Sequence, residues 1–279
     1  MPKCKMACIQ ISSDDVLQSN ISRASLMIAE AAQAGAEFIS LPENVACMPK
    51  NPHDILQHKF EQDKHPALQA FQAAAVTHKI WLLVGSIAIY EPARNKLFNR
   101  SFLLSDSGKI IAQYDKIHLF DVALANGENY NESDRFISGS KAEIATTPWG
   151  ILGFSICYDL RFPHLYRSLA KAGASLLSVP AAFTQTTGEK HWHVLLRARA
   201  IENSAFVIAP AQVGLHASGR RTYGHSLIVS PDGTILAEGD ADKEQIIFAE
   251  YDSEAVIKSR ASIPSLALNA EFRAAQFGQ

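Results

Sequence analysis

Two nine-residue segments in different halves of the chain carry the same pattern. Ala34-Gly35-Ala36-Glu37-Phe38-Ile39-Ser40-Leu41-Pro42 and Ala172-Gly173-Ala174-Ser175-Leu176-Leu177-Ser178-Val179-Pro180 each read as helix end, glycine cap, buried strand and proline stop. Junctions of this kind are common in α/β chains, which is the bland reading. The sharper reading is a chain of two similar α/β halves packed sheet to sheet. Residues just beyond each strand's carboxyl end then face a shared pocket, where open α/β sheets take their ligands.

The rest of the chain alternates in the same way. Met6–Ile11 reads as a strand. Asp14 or Asp15 caps a helix whose apolar stripe is Leu17, Ile21, Ala24, Ile28 and Ala31, spaced by four and three, and Gly35 ends it. A strand over Glu37–Leu41, a helix near Pro66–His78 and a strand over Ile80–Tyr90 follow. Ser101–Leu104 and Ile110–Tyr114 form a hairpin across Asp106-Ser107-Gly108. Segment 121–141 is polar, irregular and long for a structureless connection, which marks a functional loop. Strand Ile151–Ile156 leads to Cys157, and Pro163 stands in the first turn of a helix ending near Gly173. Strand Leu176–Val179, helix His191–Asn203, strand Phe206–Pro210 and hairpin Ser226–Ser230/Ile235–Glu238 complete the order. No Pro/Gly/Ser-rich linker divides it, so residues 1–279 read as a single α/β domain.

Composition narrows the function classes. A chain of 279 residues buries about three quarters of its unfolded surface and needs neither disulfides nor a structural metal to fold. Lys+Arg number 26 against 28 Asp+Glu, a formal net charge of −2, with no basic patch or tail. That argues against nucleic acid or anionic membrane as the main partner. The hydrophobic fraction of 47% excludes disorder. The charged fraction of 19%, below the usual ~25%, fits a heavily buried body with room for subunit contacts. No apolar core of a signal peptide follows Met1, and the apolar run Ile80–Tyr90 is too short to span a membrane. The expectation is a cytoplasmic protein whose Cys4, Cys8, Cys47 and Cys157 are reduced thiols.

Three segments place a reactive residue at a strand end or sharp turn: Leu41-Pro42-Glu43-Asn44, Tyr114-Asp115-Lys116-Ile117-His118-Leu119 and Ser155-Ile156-Cys157-Tyr158-Asp159-Leu160-Arg161-Phe162-Pro163. Taken singly each has an ordinary explanation. A cysteine after an Ile-rich strand is usually a buried apolar residue, a Glu after Leu-Pro a cap or surface charge, and a lone Lys solvated. Taken together they are a chemical set. A carboxylate takes the thiol proton, the thiolate attacks a carbonyl carbon, and an ammonium with nearby backbone N–H groups holds the oxyanion.

In these settings Glu43, Lys116 and Cys157 resemble the Glu-Lys-Cys triad of the nitrilase superfamily of carbon–nitrogen hydrolases. The resemblance runs from Met6 to about Tyr251. Within the superfamily, four stretches are similar to the branch holding deaminated-glutathione amidases and ω-amidases: Lys116-Ile117-His118-Leu119-Phe120-Asp121, the segment Cys157 to Pro163, Thr187-Gly188-Glu189-Lys190-His191-Trp192, and Leu196-Arg197-Ala198-Arg199-Ala200-Ile201-Glu202. Arg197-Ala198-Arg199-Ala200 and Arg221-Thr222-Tyr223-Gly224-His225-Ser226 tilt the likeness toward the deaminated-glutathione amidases.

The resemblance implies a four-layer αββα sandwich and an amidase that opens a linear amide through a cysteine thioester. It points to deaminated glutathione, cleaved to 2-oxoglutarate and Cys-Gly. The alternative is an ω-amidase acting on 2-oxoglutaramate or related short dicarboxylic monoamides. A second glutamate of the pattern maps to Glu132, which orients Lys116 or helps activate the deacylating water. The stretch Ala123-Leu124-Ala125-Asn126-Gly127-Glu128-Asn129-Tyr130 departs from the glycine-rich segment the family often carries there. The oxyanion falls to Lys116 and the Tyr158 N–H. No metal or organic cofactor is implied. A homodimer or higher homo-oligomer is, with the tail Ile263–Gln279 reaching a neighbour.

A substrate bearing a carboxylate needs a cation, and Arg161, four residues past Cys157, offers a guanidinium fork. Its plain alternative is a pair with Asp159 or a helix terminus. Phe183 and Thr187, on the loop beyond the second proline-stopped strand, are candidates to line the pocket. Rival chemistries lack signatures. His191-Trp192-His193 and Cys4/Cys8 do not match zinc spacings, and positions 191 and 193 do not share a helix face. Neither a papain-like Cys-His signature nor a phosphate-binding glycine motif is present. A non-catalytic partner-binding protein on the same fold is the reading from another class, and the four candidate catalytic residues argue against it.

Overall fold

Period-two burial organises the first strand. In Lys3–Gln10 (β1), Met6 and Cys8 turn to one core and Ala7 and Ile9 to another, and all four are buried. The computed structural model describes residues 3–124, 127–268, 270, 271 and 273. After β1 come Leu17–Gln33 (α1), Phe38–Ser40 (β2), Pro66–His78 (α2), Trp81–Glu91 (β3), Lys96–Leu104 (β4) and Ile110–Asp115 (β5). Short strands Asp121–Ala123 (β6), Asn129–Asn131 (β7), Ile144–Thr146 (β8) and Ile151–Gly153 (β9) lead to Pro163–Lys171 (α3) and Leu176–Ser178 (β10). Gln185–Asn203 (α4) is followed by Phe206–Ala209 (β11), Val213–Leu215 (β12), Arg221–Tyr223 (β13), Leu227–Val229 (β14), Ile235–Glu238 (β15), Gln245–Asp252 (β16) and Ser253–Ser262 (α5).

Two six-stranded sheets result, in the orders β16-β1-β2-β3-β4-β5 and β15-β14-β11-β10-β9-β8. The repeated nine-residue pattern occupies the same place in both. β2 lies parallel between β1 and β3, and β10 lies parallel between β9 and β11. Gly35 (φ 87°) and Gly173 (φ 107°) both take the left-handed conformation that ends the preceding helix, at little cost to a residue without Cβ.

The layers follow from which side chains share a core. Ile21, Ala24, Ile28 and Ala31 of α1 and Leu68 and Phe71 of α2 pack on Ile9, Ile39, Leu82 and Val84. The opposite face of that sheet, with Met6, Cys8, Phe38, Leu83 and Leu103, packs on the second sheet, beyond which lie Leu165 and Leu169 of α3 and Trp192 and Leu196 of α4. Helix, sheet, sheet, helix is the four-layer αββα order expected from the sequence. Each fully buried Leu or Ile contributes roughly 1.5–3 kcal/mol, so the doubled core accounts for the low charged fraction. Among the described residues no helix is long and apolar enough to cross a membrane.

Local expectations are corrected in four places. The N-cap of α1 is Val16, without a side-chain cap; Asp14 instead accepts the Val16 N–H at 2.7 Å in a turn just upstream, and Asp15 is not the cap. The 121–141 segment is not wholly irregular, because β6 and β7 pair as a hairpin and Glu132–Asp134 forms a 3₁₀ turn. Strand β9 stops at Gly153, well before Ile156. Helix α4 begins at Gln185 rather than His191. Gly188, which weakens a helix pattern on paper, is demanded there by packing: a Cβ would lie 2.3 Å from the Tyr223 ring. Ala125, Asn126 and, in the tail, Asn269, Phe272 and residues 274–279 lie outside the described residues.

One close approach sets the Glu43 loop. β3 carries a register shift between Val84 and Ile87, and a Cβ on Gly85 would sit 1.8 Å from the Leu41 carbonyl oxygen. The loop is then stitched to the bulge: Ser86 N–H donates to the Pro42 carbonyl (3.3 Å), Val45 N–H to the Ser86 carbonyl (3.2 Å) and Asn44 N–H to Ser86 Oγ (3.0 Å). Gly85→Ala is expected to cost about 3 kcal/mol, at the upper end for overpacking, because the obstacle is backbone. Chemical denaturation measures it, and an unchanged midpoint would mean that the loop moves aside freely.

Candidate active site

Cys157 opens a 3₁₀ turn, Cys157–Arg161, between β9 and α3, and its φ of 48° is a strained value for a residue with a Cβ. The Cys157 N–H donates to the Pro180 carbonyl and the Asp159 N–H to the Ile156 carbonyl. The Tyr158 N–H between them has no protein acceptor among the described residues, as expected in the first turn of a helix.

Asp159, fully buried, locks this turn to the strand end that carries Lys116. Its carboxylate accepts from the Ile156 N–H (2.9 Å), the Tyr114 hydroxyl (2.7 Å) and the His118 N–H (3.0 Å), and lies 2.6 Å from His118 Nδ1. Tyr114 and His118 stand two residues either side of Lys116. Burial first, then Asp159, pushes the Tyr114 hydroxyl well above its ordinary range, so it remains a donor.

Glu43 is 3% exposed and Lys116 2% exposed, which makes their pairing decisive, since an uncompensated buried charge costs several kcal/mol. Glu43 Oε1 accepts from Lys116 Nζ at 2.8 Å and from Asn99 Nδ2 at 3.0 Å; Oε2 accepts from the Ala182 N–H at 2.8 Å. Lys116 Nζ also donates to both Glu132 oxygens, at 2.9 and 3.1 Å. Glu132 is held in turn by the Phe120 N–H (2.6 Å) and Asn99 Nδ2 (3.1 Å).

The electrostatics of the cluster point one way. Burial raises the Glu43 pKa, but the Lys116 ammonium and a hydrogen bond from the Cys157 thiol outweigh it, and the net shift is downward. Burial, then the Glu43 charge, holds the Cys157 thiol above its ordinary value, against the pull of Lys116 and Arg220. Lys116 is raised: burial opposes its charge, and Glu132 and Glu43 more than restore it. The resting pair is therefore a neutral thiol beside a carboxylate, and the thiol proton has an acceptor in place.

These groups open into a cavity of about 940 Å³ lined by Glu43, Lys116, Glu132, Cys157, Tyr158, Phe183 and Thr187, among others. Its cations besides Lys116 are Lys50, Arg135, Lys190, Arg220 and Arg221. Arg161 is not one of them. Its guanidinium lies over the Phe183 ring (5.1 Å to the centroid) and 3.2 Å from His191 Nδ1, so the expected carboxylate fork is corrected to a packing role behind the cavity wall. Nor does Arg161 pair with Asp159, whose partners are the Ile156 N–H and, on the Lys116 segment, Tyr114 and His118. Thr187 sits in the first turn of α4 rather than on a loop, its hydroxyl 2.8 Å from that of Thr184.

The carbon–nitrogen hydrolase family model matches residues 5–261, nearly the whole chain. The chain belongs to the carbon–nitrogen hydrolase family. A deaminated glutathione amidase from Synechocystis sp. is 39% identical over 93% of this chain and 96% of its own. The omega-amidase NIT3 of Saccharomyces cerevisiae is 35% identical, over 94% and 91%. The crystal structure of Saccharomyces cerevisiae Nit3 superposes with a TM-score of 0.85 at 32% identity, covering 94% of each chain. That of the Caenorhabditis elegans NitFhit protein gives 0.89 at 35%, covering 96% of this chain and 65% of the longer one.

Four features of this carbon–nitrogen hydrolase escaped the sequence reading. Asn99 bridges Glu43 and Glu132, the Ala182 N–H fixes the second Glu43 oxygen, Asp159 braces the Cys157 turn, and Arg220 faces the cavity. Asn99 alone left a visible signal, an amide side chain at an inward-facing position of β4. The Arg220 guanidinium donates to the Ala182 carbonyl and lies 5.1 Å from the Tyr130 ring centroid.

Proposed function

We propose that Glu43, Lys116, Cys157 and Glu132 are the catalytic residues of an amidase working through a thioester, with deaminated glutathione as its substrate. The observation that carries this reading is a buried carboxylate beside the thiol, held by an ammonium, in a large cation-lined cavity. Glu43 takes the Cys157 proton as Sγ bonds to the amide carbon. Lys116 and the Tyr158 N–H hold the oxyanion, each such donor being worth about 3 kcal/mol. The C–N bond then breaks, Glu43 returns the proton to the departing amine, and the acyl group stays as a thioester on Cys157. Water, deprotonated by Glu43 with Glu132 keeping Lys116 in place, releases the acid and restores the thiol.

The substrate reading rests on charge and size. Deaminated glutathione has a carboxylate at each end, and cations line the cavity both beside Ala182 and toward Lys50 and Lys190. Relatives from Synechocystis, Yersinia enterocolitica and Dictyostelium discoideum bear the name deaminated glutathione amidase. A comparison of Cys-Gly release from deaminated glutathione with ammonia release from 2-oxoglutaramate tests the choice. A higher kcat/KM for the first is expected, and the reverse order would assign the chain as an ω-amidase.

Arg220 is the cation we assign to the carboxylate of the acyl half. Hydrogen bonds to charged groups contribute about 1.5–3 kcal/mol, so Arg220→Ala should raise KM for the acidic amide roughly ten- to hundredfold. Arg220→Lys, which keeps the charge, should recover part of it. An unchanged preference for acidic over neutral amides in Arg220→Ala would end the assignment.

We further read residues 1–279 as one cytoplasmic domain that associates as a homodimer or larger, with the tail from Ile263 in the contact. Ile263 and Leu268 are exposed apolar side chains there, and Arg167 of α3 holds the Ser265 and Leu268 carbonyls. The four cysteines are free thiols, which suits a reducing compartment.

A further inference from the structure

Behind the cavity wall, three side chains from three separate elements converge on one point. His193 lies on α4, His225 between β13 and β14, and Glu238 at the end of β15. His193 Nε2 is 2.8 Å and His225 Nδ1 2.7 Å from the same oxygen, Glu238 Oε1, and the three ligand atoms lie within 4.8 Å of one another. We propose that these residues form a divalent transition-metal site, with zinc as the reference ion.

The donor set supports the proposal. Two imidazole nitrogens and one carboxylate oxygen suit zinc and its neighbours rather than calcium or magnesium, which prefer oxygen alone. Zinc bonds of about 2.0–2.2 Å at tetrahedral angles place ligand atoms roughly 3.4 Å apart. The two contacts to Oε1, at 2.8 and 2.7 Å, need to open by about 0.6–0.7 Å. Glu238 is 38% exposed, so an ion can enter from solvent and keep water at its fourth position.

The surroundings hold the ligands in place. Trp192 Nε1 donates to the His225 carbonyl at 2.7 Å, and the His225 ring packs on Tyr223 with centroids 4.4 Å apart. His225 itself sits at φ 50°, a conformation that aims its ring back toward α4. His191 turns away toward Arg161, so the two histidines of His191-Trp192-His193 sit in different neighbourhoods, as their different helix faces require.

The site lies outside the proposed catalytic chemistry and supplies none of it. An ion there ties α4, whose first turns carry Thr187 and Lys190 into the cavity wall, to the segment that follows Ser218–Arg221, the stretch that lines the same cavity. It acts as a brace on that wall.

Zinc titration of the metal-stripped full chain tests the proposal. Cys157→Ala serves as the background, so that the cavity thiol does not compete for the ion. One equivalent is expected to bind and to raise the melting temperature. His193→Ala and Glu238→Gln, both partly exposed positions, should each weaken binding by at least about tenfold with unaltered circular dichroism. Cobalt in place of zinc should give a visible spectrum without a thiolate-to-metal band. Absence of stoichiometric binding, binding that survives both substitutions, or a thiolate band would each overturn the site and leave a hydrogen-bonded His-Glu-His cluster.

Discussion

Cys157→Ala is expected to abolish amide hydrolysis, by a factor on the order of 10⁶, as loss of a nucleophile does in enzymes where the reacting groups act as a unit. The fold should survive. The substitution removes one sulfur from a cavity wall, keeps the backbone at φ 48° and relieves Glu43 of a thiol neighbour. Mass spectrometry after rapid mixing should find acyl-enzyme in the wild type and none in the variant. Hydrolysis near the wild-type rate would eliminate the thioester mechanism. It would also leave the non-catalytic reading of the fold in play.

Thiol labelling refines this test. Both Cys157 and Cys47 line the cavity, whereas Cys4 and Cys8 are in the core. Burial, then Asp15 and Asp14, pushes the Cys47 thiol up to about 12, and Cys157 is raised as well. Acidity alone therefore gives Cys157 no advantage. It is expected to alkylate faster because Glu43 accepts its proton as the bond forms. Faster labelling of Cys47 would contradict that.

Glu43→Gln should lower kcat by about 10²–10⁴, the usual contribution of a general base, and should suppress labelling of Cys157 in parallel. It also has a structural consequence. Glu43 Oε1 faces two donors and Oε2 faces the Ala182 N–H. A Gln amide satisfies one side and sets its NH₂ against a donor on the other, at a cost of about 1–3 kcal/mol. The wild type should show the sign of the Glu43 shift in its pH profile. Because the folded-state pKa lies below 4.5, the base is ionised above that value and is lost as pH falls through it. Its stabilising contribution is lost over the same range. The acid limb of kcat/KM then falls below pH 4.5; a limb near the histidine value of about 6.5 would assign the base elsewhere.

Much of this site is legible one segment at a time, because a strand that stops at a proline or runs into a tight turn presents its next residue at a sheet end. Glu43 and Cys157 are visible for that reason; the repeated glycine-strand-proline pattern makes Glu43, after β2, equivalent to Ala181, after β10, while Cys157 follows the neighbouring β9. Arg161 was misread for an equally local reason. A 3₁₀ turn has three residues per turn, so a residue four positions past Cys157 points about a third of a turn away from it. Helix α4 starts at Gln185 rather than the expected His191, and the close approach of Tyr223 to Gly188 explains the glycine inside it.

What the sequence by itself determined is the alternation of strands and helices in two similar halves and the reactive residue types at the strand ends, since these depend on short-range periodicity and local chain geometry, together with the family, through the resemblance those segments carry. Only the tertiary structure decided which charges meet. Lys116 between Glu43 and Glu132, Asn99 across both carboxylates, Arg220 against Ala182 and Tyr130, and His193 with His225 and Glu238 all join residues distant in the chain. Charge pairing and ligand convergence fall off over a few ångströms, and distances of that size between remote segments are set by how the two sheets and α4 pack.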